Sequence, residues 1–245
     1  MVLPKKIPGS IVTPRKKINA MAVPVAKLIG NTGTESTLRV KPPYCSRKTK
    51  RFSLMSRQTL KLSTQPLDSI FADQTTVKTS TITETYGEIL SCDFSKLYQD
   101  CHFTSNDVFY DLGSGKGQLL AHVFIETCVK KSCGIEIVDS LAMQSKINVE
   151  KVRQTFPASF TDSRELSIHH GSFFDISFDD ATVIFINGLC FGQAFLLRLA
   201  TILNKLPYLR LLITSRAIPE LTLTFKKTLR LECSWDTTLF YIYTN

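Results

Sequence analysis

The segment that most restricts this chain is Asp111-Leu112-Gly113-Ser114-Gly115-Lys116-Gly117-Gln118. It follows a short apolar run, Val108-Phe109-Tyr110, and opens a stretch from Gly117 to Thr127 with helical periodicity. Glycines let a backbone turn sharply and lie against a ligand without a Cβ in the way. The helix N-terminus adds free N–H groups and a partial positive charge. A strand, glycine loop and helix in this order belongs at the carboxyl edge of an α/β sheet, where nucleotide-type ligands bind.

The surrounding pattern agrees. Ser132 to Ile137, Leu166 to His170, Ala181 to Ile186 and Leu209 to Ile213 read as strands, the third wholly apolar or β-branched as a strand buried on both faces should be. Helices are predicted over Glu88 to Cys101, Ser140 to Thr155 (closed by Pro157) and Gln193 to Lys205. Leu221 to Phe225, Leu229 to Cys233 and Leu239 to Tyr243 look like short antiparallel strands. Alternation of β and α from residue 108 to 213 predicts a doubly wound α/β sheet with right-handed crossovers.

Charge divides the chain. Residues 1–65 hold 14 Lys and Arg against one acid, Glu35, whereas residues 66–245 hold 16 Lys and Arg against 20 acids. The net charge of +9 therefore belongs to the N-terminal quarter. That quarter is also rich in Pro and Ser/Thr and poor in apolar periodicity, so it cannot bury enough surface to offset its ordering entropy. The expectation is a basic, largely disordered arm over 1–65 and a globular domain over 66–245. Such an arm suits phosphate contact or nuclear import. A solvated tail or an organelle transit peptide is the alternative, although prolines spaced through residues 4–24 disfavour an amphipathic transit helix.

No apolar run reaches the roughly 18 residues of a membrane helix, and no secretory signal is expected because Pro4, Lys5, Lys6 and Pro8 interrupt the start. The seven cysteines are odd in number and lack C-x-x-C spacing, which argues against a zinc ribbon or disulfide framework and for a reducing intracellular compartment. His169-His170 lacks a third ligand at metal spacing, so no metal is expected.

The loop spacing selects the ligand. A dinucleotide loop wants G-x-G-x-x-G and a phosphate loop G-x-x-x-x-G-K-[ST]; here the glycines run G-x-G-x-G behind Asp111. An acid at that place repels a pyrophosphate and suits the ammonium of an amino-acid moiety, which points to S-adenosyl-L-methionine. Glu136, 25 residues on at the end of the second strand, can accept hydrogen bonds from both ribose hydroxyls. Taken singly, Asp111 could be a helix cap and Glu136 a surface acid.

Three further segments bear on the substrate: Tyr86-Gly87-Glu88, Val183-Ile184-Phe185-Ile186-Asn187 with Phe191-Gly192 behind it, and Cys233-Ser234-Trp235 with Tyr241. Together with the glycine loop, they resemble the disruptor-of-telomeric-silencing family, histone lysine methyltransferases that lack a SET domain. The resemblance runs from about Thr81 to Asn245, in the family's order and near its spacing. It implies a seven-stranded class I S-adenosylmethionine-dependent methyltransferase fold, Rossmann-like. It also implies nuclear action on a core lysine of histone H3 in the nucleosome, with the basic arm on DNA phosphates.

The resemblance also implies roles. Tyr86, Gly87, Glu88 and Ile89 would cover the methionine end of the cofactor, Ile89 standing where the family usually has Thr. Phe109, Tyr110, Asp111, Leu112, Gly113, Ser114, Gly115, Lys116, Gly117 and Gln118 would wrap it, and Glu136 would hold the ribose. Ser172 and Phe173 would hold the adenine, Ser172 replacing the family's acid. Asn187 would sit beside the methyl group, and Gly188 replaces the family's second Asn. Phe191, Trp235 and Tyr241 would line a lysine channel, Tyr241 fitting if one residue is dropped after Trp235.

Such a channel makes chemical sense. The attacking amine must be neutral, and an apolar bore disfavours the charged form of lysine. Aromatic walls stabilise the methylammonium product by about 0.5–2 kcal/mol per face. Taken one at a time, the three aromatics also read as core residues. Two other readings stay open here: a nucleic-acid methyltransferase, though no proline follows Asn187 as in base-amino methylases, and a non-catalytic chromatin-binding module of the same fold.

Overall fold

The computed structural model describes residues 66–72, 88–161, 163–234 and 236–245. The predicted arm, Tyr86, Gly87 and Trp235 lie outside the described residues. A short helix, α1, spans 66–72. Then come α2 (Phe94–Cys101), β1 (Val108–Leu112), α3 (Gln118–Glu126), β2 (Lys131–Glu136), α4 (Asp139–Thr155), β3 (Glu165–His170), β4 (Val183–Ile186), α5 (Gln193–Leu203), β5 (Leu211–Thr214), β6 (Thr224–Glu232) and β7 (Thr237–Thr244).

The seven strands form one sheet in the order β3-β2-β1-β4-β5-β7-β6. The first five are parallel, while β7 runs antiparallel to both β5 and β6. This is the class I methyltransferase arrangement. After β3 the chain crosses to the other side of β1, so the crevice opens where β1 and β4 end.

Strand alternation sorts side chains between two cores. Phe109 and Phe185 pack with α2 and α3, through residues such as Phe94, Leu97, Leu120 and Phe124. Tyr110, Leu112, Ile184 and Ile186 pack with α5, through Leu196, Leu199 and Leu203. The small helix α1 docks on the first core through Leu67 and Phe71, and Asp68 lies 3.2 Å from the buried His122 of α3.

Two sequence expectations change. The helix predicted from Glu88 begins only at Phe94, because Ile89 forms an antiparallel bridge with Cys233 and the chain there is extended. The apolar stretches at 221–225 and 229–233 are largely one strand, β6, carried past a register shift between Phe225 and Lys227. A bulge of that kind breaks the alternation from which strands are read.

Candidate active site

Register puts the site together. Asp111 on β1 pairs with Phe185 on β4, so Asp111, Phe185 and, two residues further, Asn187 leave the sheet on one face. They line a cleft together with Ser114 and Leu119.

Its base is the glycine loop. Gly113 and Ser114 donate their N–H groups to Ile135 O at 2.8 and 3.2 Å, which pins the loop to β2. Gly113 and Gly117 take φ of 88° and 81°, a region that side chains disfavour. Gly117 caps α3, so Asp111 is no helix cap; it is 4% exposed beneath the cleft. Nor is Glu136 a surface acid. At 5% exposure, its Oε2 accepts from Gly115 N–H and its Oε1 from Val138 N–H, both at 2.8 Å. Each oxygen keeps a lone pair for a further donor.

The cleft wall comes from far along the chain. Leu90 N–H donates to Glu232 O and Ser234 N–H to Glu88 O, both at 2.8 Å, and Ser234 Oγ accepts from Glu88 N–H at 3.2 Å. Two motifs 146 residues apart are thus laid side by side, and Glu88 and Ile89 are held at the cleft.

The site concentrates acidic groups. Burial, reinforced by Glu136 and Glu88, pushes the Asp111 carboxyl up to about 8. Burial likewise raises Glu88 to about 7, partly offset by the Lys116 ammonium. Glu88 Oε1 and Ser114 Oγ are buried without a hydrogen-bond partner. Buried polar atoms without partners are uncommon in folded proteins, and here they border a cleft that suits a cationic, hydrogen-bonding ligand.

The remaining predicted residues divide. Phe109, Tyr110 and Leu112 are at most 2% exposed and belong to the cores, so they support the loop rather than face the cleft; Gly113, Ser114 and Gln118 reach it. Phe173 lies 6.2 Å from Phe191, edge to face, and Phe191 stacks on Phe195 at 4.2 Å. Phe173, Phe191 and Tyr241 are partly buried against the α5-side core, and neither Phe191 nor Tyr241 lines the cleft. Ser172 Oγ accepts from Phe174 N–H at 3.1 Å. A Cβ at Gly188 would come within 3.2 Å of the Phe191 ring. Phe185 in the cleft wall and Ser215, whose Oγ donates to Asn187 Oδ1 at 2.8 Å, were missed by sequence reasoning. Alternation from Asp111 could have found Phe185; no local signal points to Ser215.

The family model described as "Histone methylation protein DOT1" matches residues 73–230. This chain belongs to the DOT1 family. A relative named "Histone-lysine N-methyltransferase, H3 lysine-79 specific" from Caenorhabditis elegans is 32% identical over 156 residues, covering 59% of this chain and 16% of that protein. A "Protein-lysine N-methyltransferase" from Saccharolobus islandicus (strain REY15A) is 33% identical over 81 residues, 33% of this chain and 45% of that protein. The DOT1-family chain thus spans less than half the length of these curated relatives. Among solved structures it is similar to an RNA methyltransferase from Salinibacter ruber in complex with S-adenosyl-L-homocysteine, with 20% identity, a TM-score of 0.48, and coverage of 63% of this chain and 91% of that one.

Proposed function

We propose that this DOT1-family chain is an S-adenosylmethionine-dependent protein-lysine N-methyltransferase acting on a core lysine of histone H3 in the nucleosome, in the nucleus. The observation that carries the reading is the pairing of 88–90 with 232–234 beside a cleft floored by Asp111 and Asn187. It brings Glu88 and Ile89 beside Cys233 and Ser234.

The residues present fit the cofactor. Asp111 and Glu88 offer carboxylates to its ammonium, and Ser114 Oγ a donor or acceptor in need of a partner. Glu136 keeps lone pairs for the ribose hydroxyls while bracing the loop through Gly115. Phe173, with Ser172, would take the adenine, and Tyr86 and Gly87 would close over the methionine end. When bound, the cofactor supplies an electrophilic methyl group on a sulfonium. Methyl transfer is an in-line displacement, so the protein mainly aligns the reactants and excludes water. Asn187 would orient the attacking nitrogen beside that methyl. The lysine must arrive neutral; Trp235 would face it, whereas Phe191 and Tyr241 would back the site from the α5-side core. The arm over residues 1–65 would add nonspecific attraction to DNA phosphates, so turnover on nucleosomes should fall as salt rises.

The test is incubation with reconstituted nucleosomes and methyl-labelled cofactor. Label on core H3 supports the reading; label on nucleic acid or on free tails alone refutes the substrate. Cofactor calorimetry, with Gly115→Arg as the blocked control, separates an enzyme from a non-catalytic module.

A further inference from the structure

We infer that Ser215 is a positioning residue that sets the orientation of the Asn187 carboxamide. This rests on the reading of Asn187 as the group beside the transferred methyl. Ser215 directly follows β5 and is 5% exposed. Its N–H donates to Ile186 O at 3.2 Å, joining the ends of β5 and β4. Its Oγ accepts from Gly188 N–H at 2.9 Å and donates to Asn187 Oδ1 at 2.8 Å.

A hydroxyl has one proton, and a buried one needs an acceptor. With Gly188 N–H pointing at the oxygen, the serine proton goes to Asn187 Oδ1. A flipped amide would set its NH₂ against the same oxygen and strand that proton, so the network itself assigns the amide. The NH₂ end is thereby turned away from Ser215. Asn187 lines the cleft and Ser215 does not, so Ser215 acts through Asn187. The turn behind it is braced as well: Thr214 Oγ1 donates to Arg216 O at 3.0 Å and accepts from Arg216 N–H at 3.3 Å.

The experiment uses the full chain and four variants: Ser215→Ala, Ser215→Thr, Asn187→Ala, and Asn187→Ala with Ser215→Ala. Turnover on nucleosomes and cofactor Kd are both measured. Ser215→Ala should lower kcat on the order of 10- to 100-fold, because small misplacements at a reacting centre are costly, and Ser215→Thr should restore most of it. Cofactor Kd should stay within about threefold, since the loss is specific to the reacting geometry. The double variant should turn over no more slowly than Asn187→Ala alone. A near-normal kcat in Ser215→Ala, or losses that multiply in the double variant, would overturn the inference. Normal turnover in Asn187→Ala would instead sink the underlying reading of Asn187. Independently of turnover, the side-chain NH₂ resonance of Asn187, assigned by its loss in Asn187→Ala, should move in Ser215→Ala and hold in Ser215→Thr. A resonance unmoved by Ser215→Ala refutes the contact.

Discussion

Gly134 on β2 is the position where one added methyl group should damage both the fold and the cleft. A Cβ built there lies 2.5 Å from Ile168 Cδ1, 2.5 Å from Ser114 Oγ and 2.8 Å from Ser114 Cβ. Ordinary contacts at such atoms are about 3.5–4.0 Å, so the overlap approaches 1 Å on two sides. Ile168 can relieve its share by rotating a terminal methyl. Ser114 cannot move as freely, because its own N–H and that of Gly113 are bonded to Ile135 O, one residue beyond the substitution. The glycine loop must therefore be pushed off β2. Overpacking of this kind costs about 1–3 kcal/mol. At roughly 2–4 °C per kcal/mol for a domain of this size, Gly134→Ala should lower the melting temperature by about 2–12 °C. S-adenosylhomocysteine affinity should weaken in the same variant, because the displaced loop is the proposed cofactor cradle. Adding Ser114→Gly removes two of the three clashing atoms and should recover part of the stability. Thermal unfolding and calorimetry on the unaltered protein and these two variants check this. A Gly134→Ala protein with unchanged melting temperature and affinity, or no recovery in the double variant, would refute the reasoning.

Glu136→Gln should weaken cofactor binding at least tenfold by calorimetry and cost about 1–3 kcal/mol of stability, since an amide NH₂ would face a backbone N–H that a carboxylate oxygen now accepts. The pH dependence has a definite sign. Asp111 and Glu88 are raised by burial to about 8 and 7 from 3.8 and 4.5, so the folded state holds protons that the unfolded chain has lost. Stability of the cofactor-free protein should therefore decline as pH rises from about 4 to 8; Asp111→Asn should flatten that decline in urea titrations, and an unchanged slope would count against it. Arg164 donates to Val129 O at 3.0 Å and Thr127 O at 3.1 Å, and also to Phe124 O, while lying 4.2 Å over the Phe124 ring. Arg164→Ala should cost about 2–4 kcal/mol in denaturant unfolding while leaving cofactor Kd unchanged, because it closes the end of α3 away from the cleft.

What the amino-acid order determined by itself is local and periodic. Short apolar or β-branched runs and helical periodicity marked β1 to β5 and three of the helices, and the glycine spacing after Asp111 marked the loop, because these depend on backbone sterics and on which surfaces of an element must be buried. The positions of Asp111 and Glu136 followed, each lying next to a strand end. Tertiary structure alone decided the rest. The extended segment at Ile89 looked helical by its own pattern, and only pairing with Cys233 makes it straight. Phe191 reads as a neighbour of Asn187 along the chain, yet packing turns its ring to Phe173 and Phe195. Ser215 carries no motif, and its place behind Asn187 exists only because β5 lies in register beside β4. Such contacts join segments far apart in the chain, and their free energy is set by the partner found after folding rather than by the neighbouring residues.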